Sequence, residues 1–462
     1  MTEYIIEQKS QELLKKIKAA RPEINVTGTT YYVSADGDDN NDGLSPETPW
    51  KTLERVDAHY DNFNTGDAVL FRCGDIFRGS IKALGLLYAS YGEGEKPQFY
   101  SSPFDAAGVE WKDEGNDVYS IPFGDERGLK YDAGNIIFNH GDAGCGYKKF
   151  KKDDLELEFD LDFYHNHDAR TLYLKSTKGK PNERWNSIEI AVTTTIIRNA
   201  EKSCQHIIVD GLVFKYCGGC GIDLYETDWV KDVIVRNCEF EWIGGSLMPN
   251  PAWTARMGNA FEIWGGCENV LIENCYFNQV YDAAASPQWF GVEDNVCVTN
   301  FIVRGCLFER NTYDIEYFLS QHYPEDRNKH VEPTPVMFTD MIFEDNICRR
   351  NGYGFGSQRP RRVSSACIKG WTHQNQAKNF IIRNNIFDRA DYLLVEACAD
   401  KEEWLPELSG NVYCQYLNKS IIDYNGKVNM SEGNVPTSDT FKPEKGAVII
   451  VAHRPIDELN RY

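Results

Sequence analysis

The sequence predicts an all-β chain wound as a right-handed parallel β-helix, a solenoid carrying an N-terminal helix and a small β insertion. Three observations predict it. A phrase of constant length recurs through the second half: HIIVDGLVF (206–214), DVIVRNCEF (232–240), NVLIENCYF (269–277), NFIVRGCLF (300–308), DMIFEDNIC (340–348) and NFIIRNNIF (379–387). A weaker copy, PELSGNVYC, ends at Cys414. Within each phrase apolar and polar residues alternate, as Val233 and Val235 or Val270 and Ile272 do, which is the period of a strand. The material between phrases varies in length, as it does where each repeat is one coil and insertions go to loops. Helical repeats would need longer runs at a 3.6 period, and leucine-rich repeats an L-x-x-L-x-L pattern. Neither occurs.

Taken in order, residues 1–26 read as an amphipathic helix with Tyr4, Ile5, Leu13, Leu14 and Ile17 apolar, stopping near Pro22. It is expected to cap or pack beside the first coil and shield the open end. Residues 27–135 are expected to begin the β-helix, and 136–190 to form the β insertion. Residues 191–420 hold the central coils. Residues 421–462 cover the far end or pair with a partner chain. Asp36, Asp38, Asn40 and Asp42, with Glu47 following, imitate a calcium loop, but a strand precedes them and glycine is out of place. A tight Asx turn is the expectation there.

Each phrase is followed by a third strand. Aligned, these are GIDLY (221–225), AFEIW (260–264), DAAAS (282–286), DIEYF (314–318) and YGFGS (353–357). Ile222, Phe261, Ala283 and Ile315 are expected inside, with Asp223, Glu262, Ala284 and Glu316 outside. Gly221, Ala260, Asp282 and Asp314 are expected outside as well. Adjacent coils sit about 4.8 Å apart, so Asp223 should stack on Glu262 and Asp282 on Asp314. Like charges at that spacing are costly. Carboxylates about 5–5.5 Å or 6.5–9.5 Å apart are what retaining and inverting glycosidases use. Glu262, Asp282, Asp314 and Glu316 are therefore the candidate catalytic residues.

The neighbouring insertions hold Trp253, Trp289, Trp371, His322, Tyr323, His330 and His373, and Trp264 and Tyr225 share the outer face. Aromatic planes with convergent polar groups suit sugar rings. Arg359, Arg361, Arg362 and Lys369 form a local basic group suited to an acidic sugar or to a lyase base.

Acidic residues number 70 and basic residues 49, a net charge of −21. Such a surface repels nucleic acid and favours a neutral ligand. No stretch is long and apolar enough for a membrane span, and the N-terminus lacks the pattern of a signal peptide. A cytoplasmic address with reduced thiols is expected, or a secreted one if a leader precedes the chain. Among the fourteen cysteines, Cys238, Cys275 and Cys306 share one rung position and should stack as a thiol ladder. Cys217 and Cys220 form a lone C-x-x-C with no zinc partners, read as structural.

These residues also carry a resemblance. TYYVSADGDDNNDGLSPETPWKTLERV with GDAVLFRCGDIFRGSI, the TLYLKS strand, and the coils from His206 to about Cys414 resemble bacterial right-handed β-helix proteins that act on carbohydrates, the pectate-lyase-like superfamily. YDIEYF (313–318) resembles the F-D-x-D-Y coil of its glycoside hydrolases of the fucosidase/xylanase type. That resemblance implies catalytic roles for Asp314 and Glu316, with Glu standing where Asp is usual.

The expected function is hydrolysis of a glycosidic bond in a neutral oligosaccharide, exo-acting because long insertions make a pocket. Asp223, Trp264, Trp289, Tyr317, His322, Arg359, Arg361, Lys369 and Trp371 are the expected substrate-binding residues. No cofactor or catalytic metal is expected, and a homo-oligomer is compatible with the sequence. The alternatives are a polysaccharide lyase with Arg361 or Lys369 as base and Ca²⁺ on the acids, and a non-catalytic carbohydrate-binding β-helix.

Overall fold

The computed structural model describes residues 1–149, 157–200, 205–225, 229–248, 255–291, 296–323, 326–330, 337–359, 365–371 and 376–456. Three long, mainly parallel sheets wrap a single elongated core as a parallel β-helix. The recurring phrase supplies two strands per coil. Its first half enters the first sheet, as in Gln205–Asp210, Val230–Arg236, Cys267–Glu273 and Val298–Arg304. Its second half enters the second sheet, as in Val213–Cys217, Glu239–Ile243, Tyr276–Val280 and Leu307–Glu309. The third sheet runs through Ile222–Tyr225, Phe261–Trp264, Ala283–Gly291, Tyr313–Tyr323 and Ala366–Gly370.

Identical positions stack because each coil repeats the last. The rings of Phe99, Phe214, Phe240, Phe277 and Phe308 form a column with centroids 4.8–5.7 Å apart. The thiol ladder of Cys238, Cys275 and Cys306 occupies the buried corner between the first two sheets. It continues as an amide ladder. Asn346 Oδ1 accepts the Cys306 N–H, Asn385 the Asn346 N–H and Asn411 the Asn385 N–H, and Glu444 closes the series on Asn411. Side chains there satisfy corner N–H groups that the strands leave unpaired.

Helix α1 (Glu3–Ala19) does not cap the first coil. It lies along the flank of the second sheet, burying Ile6 and Ile17 against Tyr276, Leu307, Ile347, Ile386 and Val412. Seventeen residues span about 25 Å, the height of roughly five rungs, which those five residues supply. Glu7 pairs with Arg349 at 2.5 Å, and Lys96 reaches the Ile17 carbonyl at the helix C-terminus. The near end is instead covered by helix α2 (Leu53–Ala58) with Tyr31, Trp50 and Tyr60. At the far end Met430, Phe441 and Ala447 bury into the core, and Val448–Ala452 adds a rung to the second sheet.

The β insertion begins earlier than residue 136. Lys112–Gly115 and Val118–Pro122 belong to its five-stranded sheet, because Val118–Pro122 pairs with Thr171–Lys175. It has its own core of Trp111, Ile121, Phe138, Phe163, Leu174 and Trp185. Ala133–Phe138 and Ile188–Val192 pair with each other and join it to the second sheet through Val192 and Cys217. The 36–48 segment folds through Asx turns. Asp38 and Asp42 accept the Asn40 and Leu44 N–H groups, Asp39 accepts from Lys51 and Thr52, and Asp36 pairs with Arg72. Among the described residues no helix is long and apolar enough to cross a membrane.

Candidate active site

The outer face of the third sheet carries one polar column. In register it reads Arg198, Asp223, Glu262, Ser286, Glu316, Lys369 and Glu396. Ser286 takes its place because Ala285, not Ala283, stacks on Phe261 and on Ile315. Glu262 and Glu316 thus stand two rungs apart, as expected, with Ser286 between them. A second row reads Tyr225, Trp264, Gln288 and Phe318.

Alternation fails where the chain enters this sheet, and five expected placements change: those of Gly221, Ala260, Ala283, Ala284 and Asp314. Ala283 and Tyr313 pack together away from the main core, while Ala284 and Ala285 both lie within it. The bend sets two successive residues inward on every coil. Gly221, Ala260, Ala284, Asp314 and Cys367 therefore form one interior column. Asp314 does not stack outside on Asp282. It is 0% exposed, its Oδ1 accepts from Asn311 and Asn351, and the thiols of Cys348 and Cys367 adjoin it. Burial pushes its carboxyl up to about 7.

Tyr317 is likewise inside, edge-on to Phe338 and Phe380, and so has no face for a sugar. YGFGS is not a strand of this sheet. Phe355–Gln358 is a 3-10 turn, and Ala366–Gly370 takes the rung. Lys369 consequently stacks beside Glu316 and ion-pairs with Glu396 at 2.6 Å.

Glu316 is the centre of the cluster. It is 4% exposed, accepts from Ser286 Oγ at 2.9 Å and from the Trp371 indole N–H at 2.6 Å. Burial, reinforced by the Asp282 carboxylate and opposed by Arg359, pushes its carboxyl up to about 8. Asp282, at the bend before its strand, is ion-paired with Arg359, whose guanidinium lies over the Tyr313 ring. Glu262 accepts from Cys220 Sγ at 3.1 Å, Asn259 Nδ2 at 3.1 Å and Gln288 Nε2 at 2.5 Å. Its carboxyl is raised, first by burial, with Asp282 adding to the effect. Asp223 is pushed up to about 7 by burial and by Glu262.

Trp371 is 42% exposed, with Lys369 Nζ 4.5 Å from its ring. Trp264 and Trp289 meet edge-to-face at 6.2 Å. Arg361, Arg362, Trp253 and His373, and the side chains of His322, Tyr323 and His330, lie outside the described residues. Sequence reasoning missed Ser286, Gln288, Asn259 and Cys220. A two-residue shift of the DAAAS alignment places the first two. The contact of Cys220 with Glu262 leaves no mark in a lone C-x-x-C.

Asp132, His165 and His167 also converge, beside the insertion. The Lys148 ammonium already pairs with this carboxylate, 2.7 Å from Asp132 Oδ1. His165 Nδ1 accepts the Ala133 N–H, and Asp132 Oδ2 accepts the Leu247 N–H. The cluster ties the insertion to the coils.

The family model for the right handed beta helix region matches residues 199–395, the coils that carry the site. A lacto-N-biosidase of Bifidobacterium longum subsp. longum is 48% identical over 52 residues, 11% of this chain and 3% of that protein. The chain therefore corresponds to a small fraction of that relative's length. Among solved structures, a complex of XylC with xylose is similar at TM-score 0.45 and 11% identity, over 86% of this chain and 71% of that one. A GH136 lacto-N-biosidase from Eubacterium ramulus is similar at 0.42 and 12%, over 96% and 70%. Pectate lyase Pel9A is similar at 0.40 and 12%, over 93% and 78%. The family model describes the coils it matches as right handed, the hand that the sequence predicts.

Proposed function

We propose that this right-handed parallel β-helix protein is a glycoside hydrolase acting on a neutral oligosaccharide, with Glu316 as general acid and Asp282 as the second carboxylate. One observation carries the reading. Two carboxyl groups lie close enough for the Asp282 charge to act on Glu316, and their surroundings differ. Glu316 is buried among an indole N–H, a hydroxyl and a neighbouring carboxylate, and holds its proton at neutral pH. Asp282 is ion-paired with the Arg359 guanidinium. Carboxyl groups held in different environments can divide the acid and base roles between them. Glu316 would protonate the departing glycosidic oxygen, and Asp282 would attack the anomeric carbon or activate water.

The rest of the face fits a sugar without net charge. Asp223 and Glu262 extend the polar column beside Glu316 and can hydrogen-bond sugar hydroxyls. Trp264, Tyr225 and Trp371 offer ring faces, and Gln288 an amide. The stretch shared with a lacto-N-biosidase is in keeping with this chemistry.

The test is a panel of aryl glycosides and short oligosaccharides, run with the parent and with Glu316→Gln. Turnover by the parent and its loss in the variant support the reading. Release of an unsaturated uronide, seen as absorbance near 235 nm with uronate substrates and lost with chelator, would replace it with a lyase. Binding without turnover would make the protein a carbohydrate-binding module.

A further inference from the structure

The pair Asp282–Arg359 is assembled from two segments far apart in sequence, and a third segment holds both. Arg359 ends the 3-10 turn Phe355–Gln358, whose Phe355 N–H is fixed by Gln279 Oε1 at 2.7 Å. Asp282 follows Tyr281, whose ring packs on Phe355 at 5.2 Å. The Arg256 guanidinium sits over both rings, 4.3 Å from Tyr281 and 5.3 Å from Phe355. It donates to the Gly245 carbonyl at 2.6 Å, to the Gly134 carbonyl at 2.9 Å and to Gln358 Oε1 at 3.2 Å. Gln358 then donates to the Gly146 carbonyl at 2.8 Å. Gly134 lies within Ala133–Phe138, a strand that joins the β insertion to the coils, and the Gly146 N–H bonds to the Ile136 carbonyl of that strand at 2.7 Å. The fit is close: a Cβ on Gly245 would lie 2.5 Å from Phe355 and 2.8 Å from Arg256.

We propose that Arg256 and Gln358 are positioning residues through which the β insertion holds the Asp282–Arg359 pair in place. Arg256 is 5% exposed and touches the residue next to each member of the pair, but neither reacting group. A buried guanidinium bonded to carbonyls and an amide is an expensive choice for packing alone. Its planar fork reaches three acceptors at once, and the shorter, single-pointed lysine head does not reproduce that. This inference rests on the reading of Asp282 and Glu316 as the reacting pair.

The test uses a signal that needs no turnover. Glu316 faces Asp282, Arg359 and Lys369, and is hydrogen-bonded to Ser286 and Trp371. The full chain labelled with 5-fluorotryptophan reports its ionisation through the ¹⁹F resonance of Trp371, assigned with Trp371→Phe. In Arg256→Met and Gln358→Leu, Arg359 drifts from the pair and offsets the Glu316 charge less. The titration midpoint should rise by about half a unit or more. On any glycoside the parent cleaves, kcat should fall roughly tenfold with KM little changed. Should Arg256→Met fail to fold, Gln358→Leu carries the test, because it leaves the stacked guanidinium in place. Midpoints equal to the parent's, with only the melting temperature lowered, would overturn the proposal. A shifted midpoint in a protein that cleaves no glycoside would leave the positioning intact and remove the hydrolase reading.

Discussion

The Trp371 indole N–H donates to Oε2 of Glu316 at 2.6 Å, joining an exposed ring to a buried acid. A sugar stacked on that ring would lie beside the proton it needs. Replacing Glu316 with Gln keeps the shape and the acceptor for the indole but removes the transferable proton. We expect kcat/KM to fall about 10²–10⁴-fold, with the melting temperature unchanged or raised. Steady-state kinetics beside a thermal melt check both halves.

The proposed role of this acid also predicts the alkaline side of the pH profile. Its carboxyl is pushed up to about 8, so the protonated form dominates at neutral pH. The rate should fall as pH rises through about 8, tenfold per unit beyond it. Removing Arg359 takes away a charge that lowers the Glu316 value. Arg359→Met should therefore move this limb to higher pH while slowing the reaction. A limb that stays in place would show that a different group donates the proton.

Asp314 gives the opposite kind of prediction, about stability. Buried inside the coil, it is pushed up to about 7, against 3.8 for the ordinary carboxyl. Between those values the folded state holds a proton that the unfolded state has lost, so stability falls as pH rises through that window. The loss amounts to roughly 4 kcal/mol at most. Asp314→Asn keeps an acceptor for Asn311 and Asn351 and cannot ionise. It should flatten the pH dependence and stabilise the protein above pH 7. Urea melts at several pH values measure this, and unaltered activity near pH 6 would show that Asp314 takes no part in the reaction.

The coils were legible because their signal is local. The spacing of Val233, Val235, Val270 and Ile272 already states the strands, and Cys238, Cys275 and Cys306 already state a shared corner. The acidic column of Asp223, Glu262 and Glu316 followed from the same alternation. Asp314 did not, because a bend that turns two successive side chains inward breaks the period-2 rule at its own position. Tyr317 follows the rule, although an aromatic residue beside the acids suggests a sugar platform. Its neighbours Glu316 and Phe318 point out, so it points in. Arg256 and Gln358 act across chain segments that only the folded coil brings together, and no spacing encodes that.

Trp371 and Tyr317 then make a paired comparison. Trp371→Ala removes an exposed ring and a donor to Glu316, so KM should rise and kcat fall with little change in stability. Tyr317→Ala empties a core position between Phe338 and Phe380. It should cost about 3–5 kcal/mol of stability and leave the kinetics of the remaining folded protein near the parent's. Measuring both variants by kinetics and by melting separates a binding face from a packing residue.

The last prediction concerns the lock between the insertion and the coils. Asp132 is fully buried and holds Lys148, His167 and the Leu247 N–H. The ammonium stays buried only because that carboxylate faces it, and burial already draws Lys148 down to about 8. Asp132→Ala leaves an uncompensated charge and an orphaned N–H, costing about 3–5 kcal/mol. Lys148→Met in the same background should recover much of that loss, since it removes the stranded charge with a side chain of similar length. Thermal melts of the two single variants and the double variant test the coupling. Additive losses would mean that the two groups do not depend on each other, and that the insertion is held by its apolar contacts alone.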